Sequence, residues 1–200
     1  MNKVNLAIIG SGRIAGHHIK AIKRYEKIKL ISICDLDIQK AKRYSNSKIK
    51  TYEDYNQMLI KHPEINCVAI MTPSGMHFNH AFQIIKNYKK SVIIEKPTVL
   101  RLDQLKKIYS LAKKKNCKIF PVFQNRYNKA VQRVYKSINK KEIGKINIVN
   151  VRVRWCRTQR YYDSAKWRGT YSHDGGVLTN QGIHHVDLLR YLGGEVKKVF

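Results

Sequence analysis

The sequence predicts an α/β protein. A doubly wound parallel sheet is expected over residues 1–122, and an incomplete α+β domain with a mixed or antiparallel sheet over residues 123–200. Three observations predict this. Short apolar runs alternate with amphipathic stretches, a G-x-G-x-x-A loop follows the first run, and beyond residue 122 the apolar pattern changes to period two. The 200 residues, 43% of them hydrophobic, suffice to bury a core.

Residues 4–9 form a continuous apolar-leaning run bounded by Gly10, which suits a strand buried on both faces. A helix is predicted over 13–25, a strand over 29–34 ending in Asp35, and helices over 38–44 and 52–61. The next strand, 67–71, ends in Thr72-Pro73 and is followed by a helix over 76–88. A strand over 91–94 runs into Glu95-Lys96-Pro97, then come a helix over 102–115 and a strand over 118–123. Strands separated by helices at this spacing pair in parallel through right-handed crossovers.

After residue 122 the spacing predicts a helix over 128–139, a turn at Gly144 and a long strand over 145–156. Val149, Val151, Val153 and Trp155 share one face of that strand, as in a sheet covered on one side. A loop over 160–176 leads into the helix "GGVLTNQGIHHVDLLRYLGG" (175–194), and "EVKKVF" begins a further strand. One long strand, two helices and the start of another strand are a poor core, so this domain reads as truncated or reduced.

The net charge of +27 puts nucleic acid and anionic surfaces among the partners to weigh. The lysines, such as Lys20, Lys23, Lys27, Lys106 and Lys107, are spread along helix faces with no arginine-aromatic stripe and no nucleic-acid motif. Solvated faces explain them, and no nucleic-acid partner is expected; a basic nucleic-acid-associated protein is the competing class. No window is apolar enough to span a membrane and no leader pattern opens the chain, so a cytoplasmic protein without membrane association is expected. Cys34, Cys67, Cys117 and Cys156 lack metal or disulfide spacing and read as reduced thiols. No metal site is expected, because the adjacent pairs His17-His18 and His184-His185 diverge on a helix.

"LAIIGSGRIAG" places Gly10, Gly12 and Ala15 between a strand and a helix, the fingerprint of a Rossmann dinucleotide site. The first glycine permits the tight turn, the second lets the backbone approach a pyrophosphate, and the small third residue lets helix and strand pack. Asp35 ends the next strand, where a carboxylate accepts ribose hydroxyls and repels a 2′-phosphate. NAD is therefore the expected cofactor, with Lys40 and Arg43 near enough in sequence to keep NADP open. Lys96 stands at the carboxyl edge of a parallel strand, where open α/β sheets bind ligands. A lysine beside an oxidised nicotinamide loses its proton more readily and can then accept that of a substrate hydroxyl. Asn180, His184 and Asp187 fall on one side of the final helix, as a buried polar set or the wall of a site.

The glycine loop with His18, "TPSGMH" (Thr72, Pro73, His77), "EKP" (Glu95, Lys96, Pro97) and "GGVLTNQGIHHVD" occur in the order and rough spacing of the Gfo/Idh/MocA oxidoreductases. The sequence resembles that family over essentially its whole length. The resemblance implies that Lys96 is the catalytic lysine and His184 the active-site histidine. Asn180 stands where the family more often has aspartate, so it orients the substrate or the ring without moving a proton. Cofactor contacts are expected at Gly10, Gly12, Arg13, Ile14, Asp35, Thr72, Pro73, His77, Glu95 and Lys96, and at Gln124, Trp167 and Arg168; Trp167 also reads as an apolar plug. Asp187 is expected to anchor the helix. The implied activity is NAD-dependent hydride transfer from a sugar hydroxyl carbon. The N-x-G-x-H form resembles the branch acting on nucleotide-linked sugars, such as UDP-N-acetylglucosamine derivatives oxidised at carbon 3 in surface-polysaccharide synthesis. An inositol or free-sugar dehydrogenase and a non-catalytic NAD- or nucleotide-sugar-binding fragment are the alternatives. The family's second domain usually continues beyond this endpoint, and the full-length form is expected to be a homo-oligomer.

Overall fold

Continuous apolar strands need cover on both faces, and the computed structural model, which describes residues 3–200, supplies it. Six strands lie parallel: β1 (Val4–Ile9), β2 (Ile28–Cys34), β3 (Lys50–Tyr52), β4 (Cys67–Ile70), β5 (Ser91–Ile94) and β6 (Ile119–Pro121). Leu6 and Ile8 of β1, with Cys67 and Ala69 of β4, pack beneath Ala15, Ile19 and Ala41. The alternate residues Ala7, Ile9, Val68 and Ile70 pack against Met58, Ile84, Ile85 and Ile108 on the other face. These layers come from α1 (Ala15–Ile22) and α2 (Ile38–Lys42) on one side, and α3 (Tyr55–Lys61), α4 (His77–Tyr88) and α5 (Leu102–Lys114) on the other.

The strand order β3-β2-β1-β4-β5-β6 reverses between β1 and β4. Connections leave those two strands in opposite directions, which opens a crevice at their carboxyl ends. Side-chain caps set two helix starts: Asp37 accepts the Gln39 N–H (3.1 Å) before α2 and Asp54 the Asn56 N–H (2.8 Å) before α3. No strand was expected at β3, where a helix was predicted to begin at Tyr52; Lys50–Tyr52 pair with Ser32–Cys34 instead. A run so short shows no periodicity, and only its neighbour makes it a strand. Cys34 and Cys67 are buried in this sheet; burial pushes both thiols up to about 12, with Asp54 and Asp35 adding to the effect at Cys34.

The chain divides between Val122 and Phe123, and the second unit is built differently. It holds α6 (Lys129–Asn139), α7 (Gln159–Asp163) and α8 (Ile183–Gly193), with a π-helical turn at Leu178–Gly182 leading into α8. Asn128 caps α6 by accepting the Ala130 N–H (3.1 Å). Tyr135 of α6 stacks on Tyr191 of α8 at 4.4 Å between centroids.

Two expectations change here. Residues 145–156 form no strand, and neither does "EVKKVF", so the expected mixed or antiparallel sheet is not formed among the described residues of this unit. A ladder needs a partner, and no described segment pairs with 145–156. Its period-two face is used nonetheless: Val149 lies over Gly193 of α8, and Trp155 stands edge-on to His185 at 5.5 Å. The expected loop 160–176 begins inside α7, a short helix whose polar sequence carries no apolar stripe.

Gly10 takes φ +88°, and a Cβ there would sit 2.7 Å from the Met71 carbonyl carbon and oxygen. Gly10→Ala should therefore cost at least about 2 kcal/mol from strained backbone and steric overlap. Chemical denaturation of the variant checks this, and unchanged stability would contradict the packing described.

Candidate active site

The crevice between β1 and β4 begins with the glycine loop. Gly10 N–H donates to the Cys34 carbonyl (2.8 Å), which ties the loop to β2. The amides of Gly12, Arg13 and Ile14 donate to no backbone carbonyl among the described residues, and α1 starts just beyond them. A Cβ on Gly12 would meet nothing within 4 Å. Free N–H groups at a helix start, next to open space over a glycine, form a phosphate cradle. The residues fit a dinucleotide here.

Asp35 also acts within the loop. Its Oδ2 accepts both the N–H (2.7 Å) and the hydroxyl (2.9 Å) of Ser11, and its Oδ1 accepts the Asp37 N–H (3.0 Å). Oδ1 keeps a lone pair for a ribose hydroxyl. Lys40, weighed for a 2′-phosphate, lies 3.4 Å from Asp37.

On the β4 side, Thr72 and Pro73 lead into a single turn at Ser74–Met76 and then α4. His77 is buried, with Nδ1 2.7 Å from the Pro97 carbonyl and Nε2 2.8 Å from the Thr72 carbonyl. It thereby fastens the turn after β5 to the turn after β4. Burial holds this histidine below its ordinary value of 6.5, although both carbonyls pull the other way. Burial likewise lowers His80, whose Nδ1 lies 3.0 Å from Thr72 Oγ1.

Glu95 follows β5 and is 8% exposed. His18 Nε2 lies 2.6 Å from Glu95 Oε1 and must donate, because an ionised carboxylate only accepts. Oε2 accepts the Lys96 N–H at 3.1 Å. Burial alone would raise this carboxyl; the hydrogen bond and charge of His18, with the Lys96 amide and charge, outweigh it and hold Glu95 below 4.5. The lysine itself is half-buried at the carboxyl end of the sheet. His18 and Glu95 are 77 positions apart, so their pairing is invisible to sequence spacing; Ser11, inside the glycine loop, was missed for its side chain.

In the second unit every buried side chain among the described residues is polar: Asp174, Asn180 and His184. His184 stands edge-on to Phe123 at 6.2 Å, while His185 turns to Trp155. Asp187 anchors the helix as expected, through a bidentate pair with Arg126 Nε (2.7 Å) and Nη2 (2.5 Å). Gln181 Nε2, 3.5 Å from Asn180 Oδ1, donates to the Tyr161 hydroxyl at 2.7 Å. Gln124 is exposed on the turn Gln124–Tyr127, and Trp167 and Arg168 are half-buried beside Tyr161.

The profile of an oxidoreductase family with an NAD-binding Rossmann fold matches residues 4–123, and that of the GFO/IDH/MocA C-terminal domain matches residues 131–200. The chain belongs to the GFO/IDH/MocA family. Its first unit is the family's NAD-binding Rossmann domain. The WlbA dehydrogenase from Chromobacterium violaceum, crystallised with NADH and UDP-GlcNAcA, superposes with a TM-score of 0.92 at 34% identity. That match covers 98% of this chain and 57% of the other. WlbA from Bordetella pertussis, with the same two ligands, gives 0.91 at 33% identity, covering 98% and 61%. Myo-inositol 2-dehydrogenase of Thermotoga maritima is 26% identical, over 98% of this chain and 57% of that protein. The chain spans a little over half the length of the curated relatives it matches. No helix among the described residues is long and apolar enough to cross a membrane.

Gly12→Val should weaken NADH binding about tenfold or more by filling the cradle, while the melting temperature moves by less than about 2 °C. Fluorescence titration with NADH, beside a thermal melt, separates the two effects. His77, His80 and Glu95 all bind protons less readily folded than unfolded. Their contribution is complete above pH 6.5 and is lost as pH falls, first through the histidines and below 4.5 through Glu95. Melting temperature recorded from pH 8 to pH 4 should fall in that order, and a flat profile would refute it.

Proposed function

We propose that the protein is an NAD-dependent dehydrogenase that oxidises a ring hydroxyl of a nucleotide-linked sugar. The observation that carries this reading is the seating of Lys96: it stands two residues beyond β5 at the ligand edge of the sheet, with its amide held by a Glu95 carboxylate that His18 in turn holds. A base must be fixed within reach of the proton it takes, and a turn tied at both flanks provides that fixity. The complexes of the two WlbA dehydrogenases with NADH and UDP-GlcNAcA support the substrate class.

NAD, when bound, supplies the hydride acceptor. Gly12, Arg13 and Ile14 would hold its pyrophosphate through their amides, and Asp35 would take a ribose hydroxyl. Lys96 receives the proton of the substrate hydroxyl on Nζ as the carbinol carbon becomes a carbonyl, then returns it to solvent. The resemblance to the family gives His184 the role of active-site histidine and leaves Asn180, which carries no charge, to orient the sugar.

Lys96→Met should lower kcat about 10²–10⁴-fold with NADH affinity unchanged. NADH formation from UDP-GlcNAcA, followed at 340 nm beside an NADH titration, checks both. Full turnover by the variant would rule out Lys96 as the base.

A further inference from the structure

His18 belongs to α1, the helix that begins just after the glycine loop. Ala15, His18, Ile19 and Ile22 fall on one face of that helix. Ala15 and Ile19 are buried against the sheet, and Ile22 packs beside them. With α1 seated in this way, His18 Nε2 meets Glu95 Oε1 at 2.6 Å, and the two side chains are only 23% and 10% exposed.

Glu95 is fixed along its whole length. Its N–H donates to the Ile70 carbonyl (3.0 Å), which carries the pairing of β4 and β5 one residue past the strand. His18 donates to Oε1, and Oε2 accepts the Lys96 N–H (3.1 Å). On the far side of Lys96, the Pro97 carbonyl lies 2.7 Å from His77 Nδ1 at the start of α4. Lys96 thus sits between two ties, one from the helical layer of α1 and one from that of α4.

Stability does not account for the His18 tie. A buried carboxylate and its partner give up water to pair, so they add little over an apolar pair of the same volume. What the pair adds is direction. A glutamate held only by its backbone samples several rotamers, most of which take the carboxylate away from the Lys96 amide. A tilt of about 10° at Lys96, over a side chain roughly 6 Å long, moves Nζ by about 1 Å, and a misplacement of that size can cost about 10²-fold in rate.

We infer that His18 is a positioning residue for Lys96 and acts through the Glu95 carboxylate. This rests on the dehydrogenase reading above and extends it to the helix that starts at the phosphate cradle. The cradle and the seat of the base share α1, so cofactor and base are registered against each other.

The test compares His18→Ala with His18→Gln, whose side-chain amide can donate to Glu95 as the imidazole does. At saturating NAD, NADH formation from UDP-GlcNAcA should show kcat about tenfold or more lower in His18→Ala, with KM for the sugar within about twofold. His18→Gln should recover most of that loss. In a Lys96→Met background, His18→Ala should cost no more than about twofold further, because a residue that acts through Lys96 has nothing left to position. Hydrogen exchange of the Lys96 amide, read by NMR without turnover, should speed about tenfold or more in His18→Ala and return towards the parent rate in His18→Gln. Unchanged kcat in His18→Ala overturns the inference, as does a His18→Gln no faster than His18→Ala or an undiminished loss in the Lys96→Met background. Lys96 exchange indifferent to His18 overturns the tie itself. Should His18→Ala fail to fold, His18→Asn, whose amide stops short of Glu95, takes its place in each comparison. If exchange responds as stated but the parent protein forms no NADH from UDP-GlcNAcA, the dehydrogenase reading fails and the tie stands.

Discussion

Everything at the cofactor edge depends on how closely two strand ends approach. Gly10 passes the Met71 carbonyl at a distance no side chain survives, with a backbone angle that other residues resist. That approach lets the chain turn sharply out of β1, and the turn puts the amides of residues 12–14 over open space. Ser11 is held at the same moment by Asp35, so the tip of β2 helps to define the loop after β1. One missing methyl group thus links sheet topology to the shape of the crevice.

Charge is handled differently in the two units. In the first, Glu95 is buried with a histidine and an amide as partners, an arrangement that makes the turn after β5 rigid. In the second, Arg126 and Asp187 form a bidentate pair flanked by the Tyr191 ring at 4.9 Å, which holds α8 in place. Arg157 and Arg168, near α7, follow neither pattern, being held by aromatic rings and polar side chains. The large excess of lysine over the rest of the chain says little about partners.

Much of the first unit could be read from residues in order, because a strand buried on both faces and the helix that covers it each leave a periodic trace. β1, β2, β4 and β5 fall within a residue or two of where their apolar runs place them. The short edge strand β3 left no trace, since three residues cannot display a period. The glycine loop and Asp35 were legible as a motif. The pairings His18–Glu95, His77–Pro97 and Arg157–Gln181 were not, because they depend on which segments the fold brings together. In the second unit, the alternation at 149–155 predicted a strand that the described residues do not form; Val149 and Trp155 touch α8, yet all four alternating residues stay exposed.

The π-helical turn at Leu178–Gly182 has a consequence for how this region tolerates change in length. Such a turn accommodates one residue more than the α-helical path over the same rise. Removing a residue there would tighten the coil to ordinary pitch and leave His184, Asp187 and Tyr191 in phase with their neighbours. Removing one from Ile183–Gly193 would rotate all that follows by about 100°, carrying Asp187 away from Arg126. A change of length in this helix is therefore better accommodated within Leu178–Gly182, the stretch that contains Asn180, than within Ile183–Gly193.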